Sequence, residues 1–203
     1  MKIADRIVRA LISFAVIPVA FFTGIIHWIY DLPMEIINSD DNGLTEDNYS
    51  LYRIYSEFID GFNIDLKEVF ANGVADESLA PLVYWAKFVG VFFIITLVIA
   101  LVSCIFAIVT SKKTPSFICG GLGIASLIGM MVSFNNMVAP IVSKQITLGN
   151  LLDIPMIGAI VDIKVINLST AWVFMLILFI GLILWSASYI LTSDNTEVKK
   201  GKK

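Results

Sequence analysis

Residues 82–110 read LVYWAKFVGVFFIITLVIALVSCIFAIVT, twenty-nine positions with a single charge, Lys87, close to the beginning. A helix that crosses a membrane needs roughly 20 predominantly apolar residues, because ~30 Å of hydrocarbon at 1.5 Å per residue sets that length. Three more stretches meet the requirement: about 10–30, with Pro18 inside it, about 117–140 and about 170–191, none carrying Asp, Glu, Lys or Arg. The whole chain agrees with its parts. Its 203 residues are 58% hydrophobic and 15% charged, against roughly 45–50% and about 25% in ordinary globular domains, and mean hydropathy is +0.85. A water-soluble fold is excluded. The expectation is a membrane all-α fold over 1–203 as one polytopic domain. It would be a four-transmembrane-helix bundle with both termini cytoplasmic, capped outside by short helices and a small β element.

Lys and Arg set the orientation, since cytoplasmic loops carry the excess of both. The N-terminus, the 111–116 turn and the C-terminal tail together hold nine basic residues against three acids, Asp5, Asp194 and Glu197. The segments 31–81 and 141–169 hold most of the remaining charge, and with Lys87 their side has five basic residues against fourteen acids. Both segments are therefore expected on the outer face. Trp28, Trp85 and Trp172 fall at the outer ends of spans, where indole suits the headgroup level, and Lys87 is placed to snorkel outward. Trp185 falls deeper, towards the inner side. The first apolar run exceeds the 7–15 residues of a signal-peptide core and no A-x-A site closes it, so it reads as a retained anchor. Ahead of it, Ile3, Ile7, Leu11 and Phe14 share one helical face, with Lys2, Arg6, Arg9 and Ser13 near the other, the pattern of a helix entering obliquely through the headgroups.

The outer segments differ in texture. Asp40-Asp41-Asn42-Gly43 signals a turn. Leu51, Ile54, Tyr55, Phe58, Ile59 and Phe62 follow helical spacing up to Gly61, and Asp65 with Glu68 and Asn72-Gly73 supply a start and a stop. A helical cap is expected there. In 141–169, Val161, Ile163 and Val165 alternate with Asp162 and Lys164, which predicts one strand at about 159–166. It needs a partner, assigned to 33–38.

Chemistry is sparse. No Asp, Glu, Arg or His lies in the central part of any span, so an intramembrane enzyme or an ion-coupled transporter lacks its reactive groups. No catalytic residue, cofactor or metal is expected, and no nucleic-acid partner. His27, the one histidine, reads as interfacial. Gly121, Ala125, Gly129 and Ser133 recur every four residues as a small-residue ridge, widened by Gly120 and Gly123. Close backbone approach over such residues is the main route to helix association in lipid. The ridge serves either internal packing against the second or fourth span or association with another membrane protein or a second copy. Ser13, Thr23, Thr96, Ser103, Ser126, Ser133, Asn135 and Asn136 are the groups that could line a pore in an oligomer. Asn48-Tyr49-Ser50 is an N-glycosylation sequon.

Short ends, a long first outer loop, a tight inner turn and a β-like run from Gly158 into Ala171-Trp172 resemble the claudin-like four-transmembrane superfamily, nearest to the fungal PalI-type cortical membrane proteins. The resemblance implies a left-handed bundle capped by a small sheet, set in the plasma membrane and organising membrane domains or contacts. The sequence departs from claudins at the first outer loop: 31–81 holds neither Trp nor Cys, where claudins carry a W-x-x-W-type signature and a cysteine pair. The function expected is therefore a non-catalytic tetraspan acting by lateral or partner association, in contact with membrane lipids and with other membrane proteins or its own copies. An oligomeric channel is the alternative.

Overall fold

The structure, a computed structural model, describes residues 2–31, 44–54, 56, 80–144 and 162–200. These residues are mostly helical, with one small sheet. In chain order they form α1 (Lys2–Phe22), β1 (Gly24–Asp31), β2 (Leu44–Ser50), α2 (Leu51–Ile54), α3 (Ala80–Val109), α4 (Thr114–Val142), β3 (Asp162–Leu168) and α5 (Thr170–Lys200). Three helices are long and apolar enough to cross a membrane: Ala80–Val109, Thr114–Val142 and Thr170–Ala187. That is the mark of an integral, multi-pass membrane protein.

The first expected span needs correction. Residues 10–30 are not one helix: α1 starts at Lys2 and stops at Phe22, and 24–31 form β1. Apolar content alone cannot separate a buried helix from a buried strand. Here a glycine at position 24 is followed by Ile25, Ile26, Trp28, Ile29 and Tyr30, β-branched and aromatic residues that favour a strand. β1 is also the central strand, so an uncharged run suits it. The strand expected at 159–166 lies at Asp162–Leu168, and it pairs with Ile26–Asp31 of β1; the partner proposed at 33–38 lies outside the described residues. Of the helix expected over 51–62, Leu51–Ile54 is observed, and the rest of that cap, with its 65–73 signals, also falls outside them.

The chain divides into two compact units. The first comprises 1–20, 92–128 and 172–203, and it is built inside out. On α1 the residues facing the interior are Arg9, Ser13, Val16 and Ala20, while Ile3, Ile7, Leu11 and Phe14 are exposed. On α3, Thr96, Ala100, Ser103 and Ala107 are buried, and Ile94, Ile105 and Ile108 are exposed. Water would drive the opposite arrangement. In hydrocarbon, polar groups must find partners inside the bundle and isoleucine loses nothing by facing out. Helix α4 is the most enclosed of the spans: 44% of its apolar window is buried, against 22% for α3.

The second unit comprises 21–91 and 129–171. Its sheet is antiparallel, ordered β2-β1-β3. One face, with Ile26, Trp28, Ile166 and Leu168, packs onto Phe134, Val138, Met137 and Ile141 of α4 and Val89 of α3. Trp28 meets the Tyr49 ring edge-on at 5.3 Å between centroids. The register sets His27 opposite Asn48 on one side and Asn167 on the other, a polar row on the opposite face. Gly24 lets the Asn48 side chain lie over the start of β1, where a Cβ would collide with it.

Candidate functional site

The first unit is fastened at the turn between α3 and α4. Arg9 is wholly buried. Its Nη1 donates to the Lys112 carbonyl and to Ser116 Oγ, both at 3.0 Å, and its Nη2 donates to the Thr110 carbonyl at 3.3 Å. Nε lies 3.3 Å from Asp5 Oδ2, an ion pair without hydrogen-bond alignment. Arg6 donates to the Ala107 and Ile108 carbonyls. The two guanidinium groups therefore satisfy carbonyls that the last turn of α3 leaves open, where a cation also suits the helix dipole. Asp5 holds Lys113 Nζ at 2.7 Å and accepts from Trp185 Nε1 at 2.9 Å. It sits in the first turn of α1, ahead of the uncharged stretch. Burial pushes its carboxyl up, but the Lys113 and Trp185 hydrogen bonds and the charges of Lys113 and Arg9 outweigh that and hold it below the ordinary value.

Further along, hydroxyls pair with hydroxyls. Ser13 and Ser103 meet at 2.8 Å, and Thr96 donates to the Phe92 carbonyl and reaches Ser126 Oγ at 3.0 Å. Ser126 also reaches the Phe92 carbonyl at 2.8 Å. Trp172 Nε1 donates to the Leu127 carbonyl at 3.2 Å. Four of the eight candidate pore-lining residues are thus engaged with one another inside this unit.

The glycines of α4 fall on two faces. Gly120 and Gly123 are closed over: a Cβ at Gly120 would stand 2.6 Å from Ile183 Cγ1, and one at Gly123 would run into the Phe179 ring. Gly121 is exposed, a Cβ there would meet nothing within 4 Å, and Ala125 one turn on is exposed as well. The last two members of the expected ridge lie in the other unit, where Ser133 is buried and donates to the Gly129 carbonyl at 2.8 Å. The residues read as widening the ridge are thus the ones that pack within the unit.

Of the expected interface anchors, Trp85 is half-buried beside Tyr84 and Phe88, at 5.4 and 5.9 Å between ring centroids, and Lys87 is exposed. Trp28 lies on β1, and Trp172 spends its N–H on Leu127. Asn48 is exposed on β2, and its Oδ1 accepts from Ser169 Oγ at 2.5 Å. The Arg9 cluster and the Trp185–Asp5 bond were not read from sequence. The signal is the Asp5/Arg9 spacing of four, an intrahelical ion pair, on the side of α1 away from Ile3, Ile7, Leu11 and Phe14. No protein-family model, curated protein or solved structure matches the chain.

Proposed function

We propose that the chain is a non-catalytic four-span membrane protein that works by lateral association, organising a membrane patch or serving as a subunit of a membrane complex. The carrying observation is the open side of α4. Gly121 and Ala125 are exposed and offer a helix a close backbone approach, and among the described residues nothing stands within 4 Å of where a Gly121 Cβ would be. α1 is the fourth crossing in this reading. Its support is that Asp5 meets both the 113 turn and Trp185, and that α1 leads directly into β1, whose Ile25 carbonyl takes the Ser169 N–H at 2.9 Å beside the start of α5. Both termini then face the cytoplasm, as the excess of Lys and Arg on that side favours.

The resemblance to the claudin-like superfamily is part of the same proposal. Its support is a sheet whose strands directly follow α1 and directly precede α5, and it implies residence in the plasma membrane. The channel reading loses ground, because Ser13, Thr96, Ser103 and Ser126 bond among themselves. Purification from the native membrane in mild detergent, followed by native mass measurement, tests the proposal. The expected result is a stoichiometric complex with a second copy or another membrane protein. A lone 22.4 kDa chain under every mild condition would contradict it.

A further inference from the structure

Helices α1 and α3 leave between them, within the first unit, an open groove of about 470 Å³ lined by Ile7, Ala10, Leu11, Phe14, Cys104 and Ile108, with Ile3 and Arg6 at one end. We propose that this groove holds one acyl chain of an anionic glycerophospholipid whose phosphate rests against Arg6. The inference depends on the chain's residence in a membrane, and not on the association assigned to α4.

The volume falls within the ~300–1,000 Å³ typical of small-molecule sites. From Ile3 to Phe14 the wall runs about 17 Å at 1.5 Å per residue, the form of an extended hydrocarbon chain. The groove exists because Ala10 is small where Ile7, Leu11 and Phe14 stand up around it. Ile3, Ile7, Leu11 and Phe14 are all exposed, and Arg6 is the one charged residue in the lining.

Arg6 supplies the choice of headgroup. Its Nε and one Nη donate to the Ala107 and Ile108 carbonyls, which fix the guanidinium and leave three of its five N–H donors for an anion. Arg6 makes no ion pair among the described residues. The nearby acid on α1, Asp5, is already held by Lys113 and Arg9. Among the described residues the charge at the end of the groove is thus positive and uncompensated. An arginine fork fits a phosphate, and a net anionic headgroup is favoured over one whose own cation offsets the phosphate. A second copy of α1 would bring the same Arg6 to the place where an anion is wanted.

The full chain, reconstituted in vesicles of equal phosphatidylglycerol and phosphatidylcholine, extracted gently and weighed by native mass spectrometry, tests this. The expected result is one retained lipid, phosphatidylglycerol over phosphatidylcholine by about fivefold, the effect of one cation on an anionic headgroup. Arg6→Gln should keep a lipid adduct and lose the preference. Ala10→Trp should lose the adduct with either lipid while helical circular dichroism is unchanged, and Gly121→Leu should leave it intact. Equal retention of both lipids by the unaltered chain, or a preference surviving in Arg6→Gln, would overturn the proposal. So would a dimer that Ala10→Trp dissolves, since a second copy would then be the occupant. If Ala10→Trp does not fold, the unaltered chain and Arg6→Gln decide the matter between them.

Discussion

Helix α4 presents two faces, both rich in small residues, to opposite ends. One carries Ser116, Gly120, Gly123, Ser126 and Leu127, and each of these meets a neighbour in its own unit: Arg9, Ile183, Phe179, Thr96 and Trp172 respectively. The other carries Gly121 and Ala125, which are exposed. In hydrocarbon the difference cannot come from hydrophobicity, because lipid is as apolar as the core. It comes from whether a backbone or polar partner is close enough to use the space a missing side chain leaves. A glycine in such a span is informative only through what stands opposite it.

The largest expected effect falls on the packed face. Arg9→Ala leaves the Lys112 and Thr110 carbonyls and Ser116 without their donor, and Asp5 without one of its cations. A loss of about 3–5 kcal/mol is expected, as for other buried pairs with one partner removed, read as a large drop in thermal midpoint in detergent. Arg9→Ala at the stability of the unaltered chain would mean that the turn is held by something else.

Gly123→Leu comes next. Phe179 is fully buried and a Cβ at 123 already overlaps its ring, and overpacking costs about 1–3 kcal/mol. The matching change on the other face, Gly121→Leu, should stay within about 0.5 kcal/mol, as surface substitutions do. Equal losses at 121 and 123 would erase the distinction between the faces.

Acid gives a smaller and more selective effect. The folded-state pKa of Asp5 lies below its ordinary value of 3.8, so the stabilisation is complete above that value and is lost as pH falls below it. Asp5→Asn should be less stable than the unaltered chain at neutral pH, and the gap should narrow below pH 3.8. A gap that stays constant with pH would remove Asp5 from the joint.

Much of the architecture was legible in the residues. The three long spans follow from uninterrupted apolar length, because the bilayer imposes that length directly on sequence. β1 was not legible, since Ile25 to Tyr30 continue the hydropathy of α1 and only pairing with β2 and β3 reveals a strand. Its pairing with β3 joins residues more than 130 positions apart, which no local pattern encodes. The candidate face was half legible. Spacing by four collects Gly121 and Ala125 onto one side, and both are exposed, but what stands opposite Gly120 and Gly123 depends on where Ile183 and Phe179 of α5 come to lie. In the sequence Arg9 is one of three cations, with Lys2 and Arg6, on the polar face of an entering helix; its burial follows from Ser116 and the turn carbonyls lying beside it in space.

The most direct measurement uses single cysteines in native membranes, with Cys104 and Cys119 replaced by alanine. Gly121→Cys and Gly123→Cys are each labelled with a maleimide-linked benzophenone and irradiated, which captures any neighbouring chain without requiring a second thiol. A crosslinked adduct to a second chain is expected from position 121 and none from position 123. Adducts of equal yield from both positions, or none from 121, would contradict it.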